Sequence, residues 1–318
     1  MTGIVPQNII RGPGALKLGT LVLHDGDGIQ ADVMVATNPV STSLYGKLDE
    51  WVHSRQGEVS FRPGGELSST IIAGLFPYQN PNLGASIYGA TDVPLIVHSK
   101  KGTKIIFSRA AVVGCPSLTL SPTRVAFSGS AKLRCLLASG AGPTDSNALL
   151  TPPASVVFAA ADYPFDVTTV KGGNYIGTYV TTPTPLVINT AAGWQVDMSV
   201  GTDPVNTDHE GLVDETLKEV SVIAKCQPMG LSEADLLALL PYASAQGASM
   251  RTGIDLTITA GVSSGALAVT LHNVCVLQGP LKYGTTTLRL GEIAFVAHRT
   301  LASSVPDALC TIAMAPAS

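Results

Sequence analysis

The chain of 318 residues has little charge: Asp, Glu, Lys and Arg make up 13%, and Phe, Trp and Tyr only 5%. Charge this sparse, beside 32 Gly and 21 Pro, argues against coiled coils, long exposed helices and intrinsic disorder. There is no basic excess either. The formal net charge is −4, which speaks against the tight static nucleic-acid binding that dense Lys and Arg support. No run approaches the ~18 apolar residues of a membrane helix. Residues 1–23 carry Pro and Gly where a secretory leader needs an unbroken apolar core. Neither a membrane span nor a leader is expected. The five cysteines (Cys115, Cys135, Cys226, Cys275 and Cys310) are odd in number and widely spaced, with no CxxC pair. They read as reduced, buried small hydrophobes in a chain assembled in cytoplasm, not as a zinc or disulfide framework.

Catalytic signatures are also missing. No P-loop, Rossmann glycine triplet, HExxH or zinc-spaced cluster occurs, and no two of the six histidines lie three or four apart. Residues 261–265 match GxSxG around Ser263, but β-type sequence follows where a nucleophile elbow needs a helix. They read as a hairpin tip. Asp25-Gly26-Asp27-Gly28 lacks the further ligands of a calcium loop and reads as a turn. No enzyme, metal or cofactor is expected.

What is present is apolar. Hydrophobic residues reach 45% and mean hydropathy is +0.31. A water-soluble chain of this kind hides surface in an assembly.

It is also repeated. Residues 28–51 (GIQADVMVATNPVSTSLYGKLDEW) align without a gap on residues 193–216 (GWQVDMSVGTDPVNTDHEGLVDET), with 11 of 24 positions identical. Pro63 then falls on Pro228, Leu75-Phe76-Pro77-Tyr78 on Leu239-Leu240-Pro241-Tyr242, and residues 105–118 on 269–282, with the offset held between 163 and 165. The expectation is a tandem duplication, with domains at 1–155 and 156–318, each with its own core and joined by the turn-rich stretch from Ser139.

Each copy reads as mostly strands with one short helix. Strands are expected at residues 104–113, 123–137, 254–259, 266–277 and 285–297. The helices fall at 66–76, with Ser68, Ser69 and Thr70 as candidate caps, and at 231–240, where Ser232 and Asp235 form a near capping box. Pro77 and Pro241 end them. The fold class is therefore mainly β (α+β).

The candidate functional residues are assembly contacts. Asp49-Glu50 and Asp214-Glu215 are retained in both copies, and the stretches 46–65 and 211–230 carry most of the local charge, including Lys47, Arg55 and Lys218. They are expected to leave the domain body and meet neighbouring domains, through solvated loops or inter-subunit salt bridges. Charge also divides between the copies: residues 1–160 carry a net +3 and residues 161–318 a net −7. Opposite signs would favour pairing of unlike copies.

The arm IIRGPGALKLG, the long strand pair over residues 30–65, the helix ending Leu75-Phe76-Pro77, the break GCPSLTLSP and its counterpart HNVCVLQGPLKYG together resemble the major tail tube proteins of long-tailed (siphovirus-like) bacteriophages, in a duplicated form. The resemblance implies two tandem β-sandwich/barrel domains, each flanked by a helix. It implies homotrimeric, pseudo-hexameric rings stacked into a hollow virion tail tube. DNA would pass through the lumen without sequence-specific binding. Terminator, tape-measure and distal tail proteins would be partners. No catalytic residue is carried over. A distal tail/hub or injection-system tube component with the same fold is the alternative.

Overall fold

The computed structural model describes residues 8–10, 14–64, 67–123, 125–138, 154–165, 174–179, 185–207, 211–232, 234–235, 239, 246, 253–260, 267–278, 281–283, 288–299 and 308–314. The fold is mainly β, built on two large sheets.

The first sheet uses β1 (Asn8–Ile10), β2 (Gly14–Leu18), β3 (Leu21–Thr42), β4 (Gly46–Pro63), β5 (Leu95–Ser99), β6 (Thr103–Phe107), β7 (Arg109–Gly114), β10 (Ala131–Leu136) and β11 (Ala154–Ser155). Between β7 and β10 lie β8 (Ser117–Leu120) and β9 (Val125–Ser128). The later strands are β12 (Tyr175–Tyr179), β13 (Leu186–Thr207), β14 (Gly211–Met229), β15 (Leu256–Ala260), β16 (Leu267–Leu271), β17 (Cys275–Gln278), β18 (Leu281–Tyr283), β19 (Leu288–Leu290), β20 (Ile293–Val296) and β21 (Cys310–Met314).

One order runs through both sheets. The first reads β11-β6-β5-β2-β3-β4-β10-β7, and the second, read from its far end, β21-β16-β15-β12-β13-β14-β20-β17. Each strand of the second thus occupies the place of the strand ten earlier in the first.

The central ribbons match in finer detail. β3–β4 shifts register between Asp25 and Ile29, Ala36 and Thr37, and Val40 and Ser41. β13–β14 shifts between Thr190 and Trp194, Gly201 and Thr202, and Val205 and Asn206, each 165 residues on. Such bulges bend a strand and raise its twist. The first pair has a visible cause. Gly28 (φ 103) and Gly193 (φ 90) take backbone conformations open to glycine. The Gly28 amide donates to Asp25 Oδ1 at 2.7 Å, and the Gly193 amide to Thr190 Oγ1 at 3.0 Å. The expected turn at Asp25–Gly28 is therefore a bulge inside a long strand, and Thr190–Gly193 forms its counterpart. Likewise, residues 46–63 are one limb of a longer ribbon and not a hairpin in themselves.

Helix α1 (Ser69–Leu75) is capped by Ser68, whose Oγ accepts from the Ile71 amide at 3.2 Å. It buries Ile71, Ile72 and Leu75. In the second half, Ala234, Asp235 and Leu239 are helical. There the Ser232–Asp235 box closes: the Asp235 amide donates to Ser232 Oγ at 3.1 Å, and that hydroxyl donates to Asp235 Oδ2 at 2.6 Å.

Four single strands expected from sequence are each broken in two. Ser108 separates β6 from β7, and His272–Val274 separates β16 from β17. Residues 129–130 separate β9 from β10, and residues 291–292 separate β19 from β20. Most buried apolar side chains of both halves join one contiguous cluster, from Leu16 and Phe61 to Trp194 and Phe295, and Tyr88, Ala111 and Leu136 form a second, small one. The last strand of the first sheet ends at Ser155, and the chain beyond it still packs against that sheet. Ser155 pairs with Thr103, and His98 Nε2 lies 3.0 Å from the Val156 carbonyl and Nδ1 3.1 Å from Tyr163 Oη.

Candidate assembly surfaces

The two halves meet head to tail, mainly through backbone. The β8–β9 hairpin of the first half does not join the first sheet. Its Leu118, Thr119 and Leu120 pair with Val196, Gln195 and Trp194 of β13. Leu118 and Leu120 are fully buried there, with Val125 and Phe127 behind them. Each such side chain contributes roughly 1.5–3 kcal/mol of burial free energy. Gly193 makes the approach possible: a Cβ on it would lie 2.0 Å from the Leu120 carbonyl oxygen.

A second contact runs along β14. The Gly84 amide donates to the Leu217 carbonyl at 2.7 Å, the Leu217 amide to the Ala85 carbonyl at 2.9 Å, and the Ile87 amide to the Glu215 carbonyl at 3.0 Å. The same loop reaches β21, where the Ile312 amide donates to Gln79 Oε1 at 2.7 Å. Arg299 donates to the Pro81 carbonyl at 2.7 Å.

The charged candidates divide between two environments. Asp214 Oδ1 accepts from Ser86 Oγ at 2.7 Å and lies 3.7 Å from Arg109. Glu215 is sealed from solvent, held by Arg134 at 2.8 Å and by Thr202 Oγ1 at 2.7 Å. Arg109 in turn stacks over the Tyr88 ring at 4.5 Å. Here basic residues of the first half meet acids of the second, while Arg109 also pairs with Asp92 at 3.2 Å and Arg134 with Glu58 at 3.8 Å within the first half. Lys218 pairs with Asp203 at 3.0 Å on the exposed part of its ribbon.

In the first half, Lys47 pairs with Glu50, and Asp49 Oδ1 accepts from the Glu50 amide at 2.8 Å. Arg55 sits opposite Val35, half-buried. The matching surface there is uncovered. Leu217 is 3% exposed, whereas Val52, in the same register 165 residues earlier, is 58% exposed. Trp51 is 67% exposed, and Leu44, Tyr45 and Leu48 extend the patch. Clustered apolar exposure of this kind marks an interaction surface. Sequence reasoning named the acids on this ribbon but missed its exposed apolar residues, which fall in adjacent pairs, Leu44-Tyr45 and Trp51-Val52, that read equally well as buried strand.

The remaining groups offer little chemistry. A groove of about 720 Å³ is lined by His24, Lys101, Phe158, Tyr163 and Phe165 among others. Both nitrogens of the neighbouring His98 are engaged by Tyr163 and Val156. Cys275 Sγ lies 3.0 Å from His298 Nε2, but burial pushes this thiol's pKa up, the reverse of an activated nucleophile. Among the described residues no group of three or more His, Cys, Asp or Glu is placed to hold a metal. No described helix is long and apolar enough to cross a membrane. Ser263 lies outside the described residues.

Set beside known proteins, the chain matches no protein-family model and no curated protein.

Proposed function

We propose that this protein is a structural virion subunit that polymerises into the hollow tail tube of a long-tailed bacteriophage, through which DNA passes. The chain is a tandem duplication of one tube domain, and three chains make a ring of six domain positions. The observation that carries this reading is the head-to-tail contact between halves of like strand order. The first half gives a hairpin and a loop to the second, and presents on its own ribbon the surface that the second has covered. Such a heterologous contact, repeated between chains, closes a ring when its rotation permits.

The physical chemistry is consistent with a conduit. Pairing between subunits covers the edges of long ribbons that would otherwise aggregate. Many-stranded barrels leave an aqueous channel. A lumen short of Lys and Arg does not hold phosphate in place. Asp49, Glu50, Lys47 and Arg55 sit on the ribbon that meets the next chain. Electron micrographs of the concentrated protein test the reading. Hollow tubes of stacked rings are expected. Single rings that never stack would favour a distal tail or hub component, and particles the size of one chain would overturn both.

A further inference from the structure

The β18–β19 hairpin is the counterpart of β8–β9, yet it forms a two-stranded sheet with no other partner among the described residues. Counted from its turn, where Tyr283 pairs with Leu288 as Leu120 pairs with Val125, its first strand sets Leu281-Lys282-Tyr283 against Leu118-Thr119-Leu120, one residue off the alignment of residues 105–118 on 269–282. The acceptor for β8 is β13 at Trp194–Gln195–Val196. Displaced by 165 residues, that acceptor becomes Ile29–Gln30–Ala31 of β3. Gln30 and Gln195 are identical, and the bulge glycine is kept just before each segment.

We infer that the β18–β19 hairpin of one chain adds as a strand to β3 of a second copy, with Leu281 opposite Ala31, Lys282 opposite Gln30 and Tyr283 opposite Ile29. This inference rests on the ring reading and gives it a register.

The site is not empty in the single chain. β1 pairs there, Asn8 with Asp32 and Ile10 with Ala31, with a register shift between the two pairs. β8, by contrast, runs in regular register with three consecutive pairs and has β9 on its other side. A three-residue strand in broken register is a weak occupant. β1 therefore caps the β3 edge until a neighbour's hairpin replaces it. The cap guards against edge-to-edge aggregation, and its removal couples strand addition to ring closure.

The occupant is a second copy because the chain already contains this contact once, between its own halves. The cover over Glu215 and Leu217 and the bareness of Trp51 and Val52 point the same way.

The test mixes two full-length variants, Gln30→Cys and Lys282→Cys, under mild oxidation after assembly. A disulfide between them can only join two chains. Cross-strand partners bring Cβ atoms to about 4.5–5.5 Å, within reach of such a bond. The expected result is a covalent dimer in the mixture, lost when Lys282→Cys is combined with Leu281→Pro. Removal of residues 1–10 should raise the yield of the cross-link. Rings that form without any cross-link overturn the docking and leave the ring reading standing. Protein that stays as single chains overturns both. A truncated chain that cross-links less than the full chain overturns the role given to β1.

Discussion

Arg134 and Glu215, 81 positions apart, meet at 2.8 Å across the junction of the two halves, and Glu215 is wholly buried. A buried carboxylate needs its partners because removing one leaves an uncompensated charge. Replacing Arg134 by Met should cost about 3 kcal/mol, the lower end of the range for a broken buried pair, since the Arg134 side chain is partly exposed. The double variant Arg134→Met, Glu215→Leu should recover most of that. Urea unfolding of the four proteins measures the cycle. An unchanged midpoint for Arg134→Met contradicts the account.

Gly193 should tolerate no side chain. Alanine there meets the Leu120 carbonyl and takes a positive φ, a strain of about 1–3 kcal/mol. Gly193→Ala should release β8 from β13 while the first sheet survives. Hydrogen exchange should then quicken at residues 118–120 and 194–196, and not at β5 or β6. Uniform protection would show that the hairpin is held some other way.

The thiols set an alkaline limit. Burial pushes Cys115 and Cys310 from 9.0 up to about 12, and drives Cys135 and Cys226 higher still. The protonated thiols favour the folded state below pH 9, and that contribution falls as pH rises from 9 toward 12. Thermal unfolding should drop steeply over that window, and the folded protein should react slowly with thiol reagents at neutral pH. Fast labelling of all five cysteines would contradict this.

Asp197 sets an acid limit of smaller size. Burial raises its pKa, but hydrogen bonds from Gln195, Ser117 and Lys225 outweigh that and hold it below 3.8. Ser117 belongs to β8, so the carboxylate helps clamp one half to the other. A depressed carboxylate stabilises above its ordinary pKa, and the contribution is lost as pH falls through the folded value. Asp197→Asn should lower stability at neutral pH and weaken its dependence on pH below about 4. Parallel acid limbs for variant and parent would contradict the clamp.

Local and periodic features were legible in the sequence. The Ser232–Asp235 box and the Ser68 cap follow from side chains that satisfy nearby amides. The offset of 165 anticipated ribbons that match in register. Asp25–Gly28 was misread as a turn because a bulge and a turn ask for the same glycine and short acceptor. The β8–β13 pairing was invisible because no local pattern tells a strand which sheet it will join. The charge along residues 46–65 does not mark a free-standing arm, since Gly57–Phe61 pair with β10.

The central claim is that three chains with two like halves close one ring. Native mass spectrometry of the smallest stable ring tests it most directly. The account predicts three copies of the 32.7 kDa chain. A ring of six full chains, or a single chain at every concentration, would contradict it.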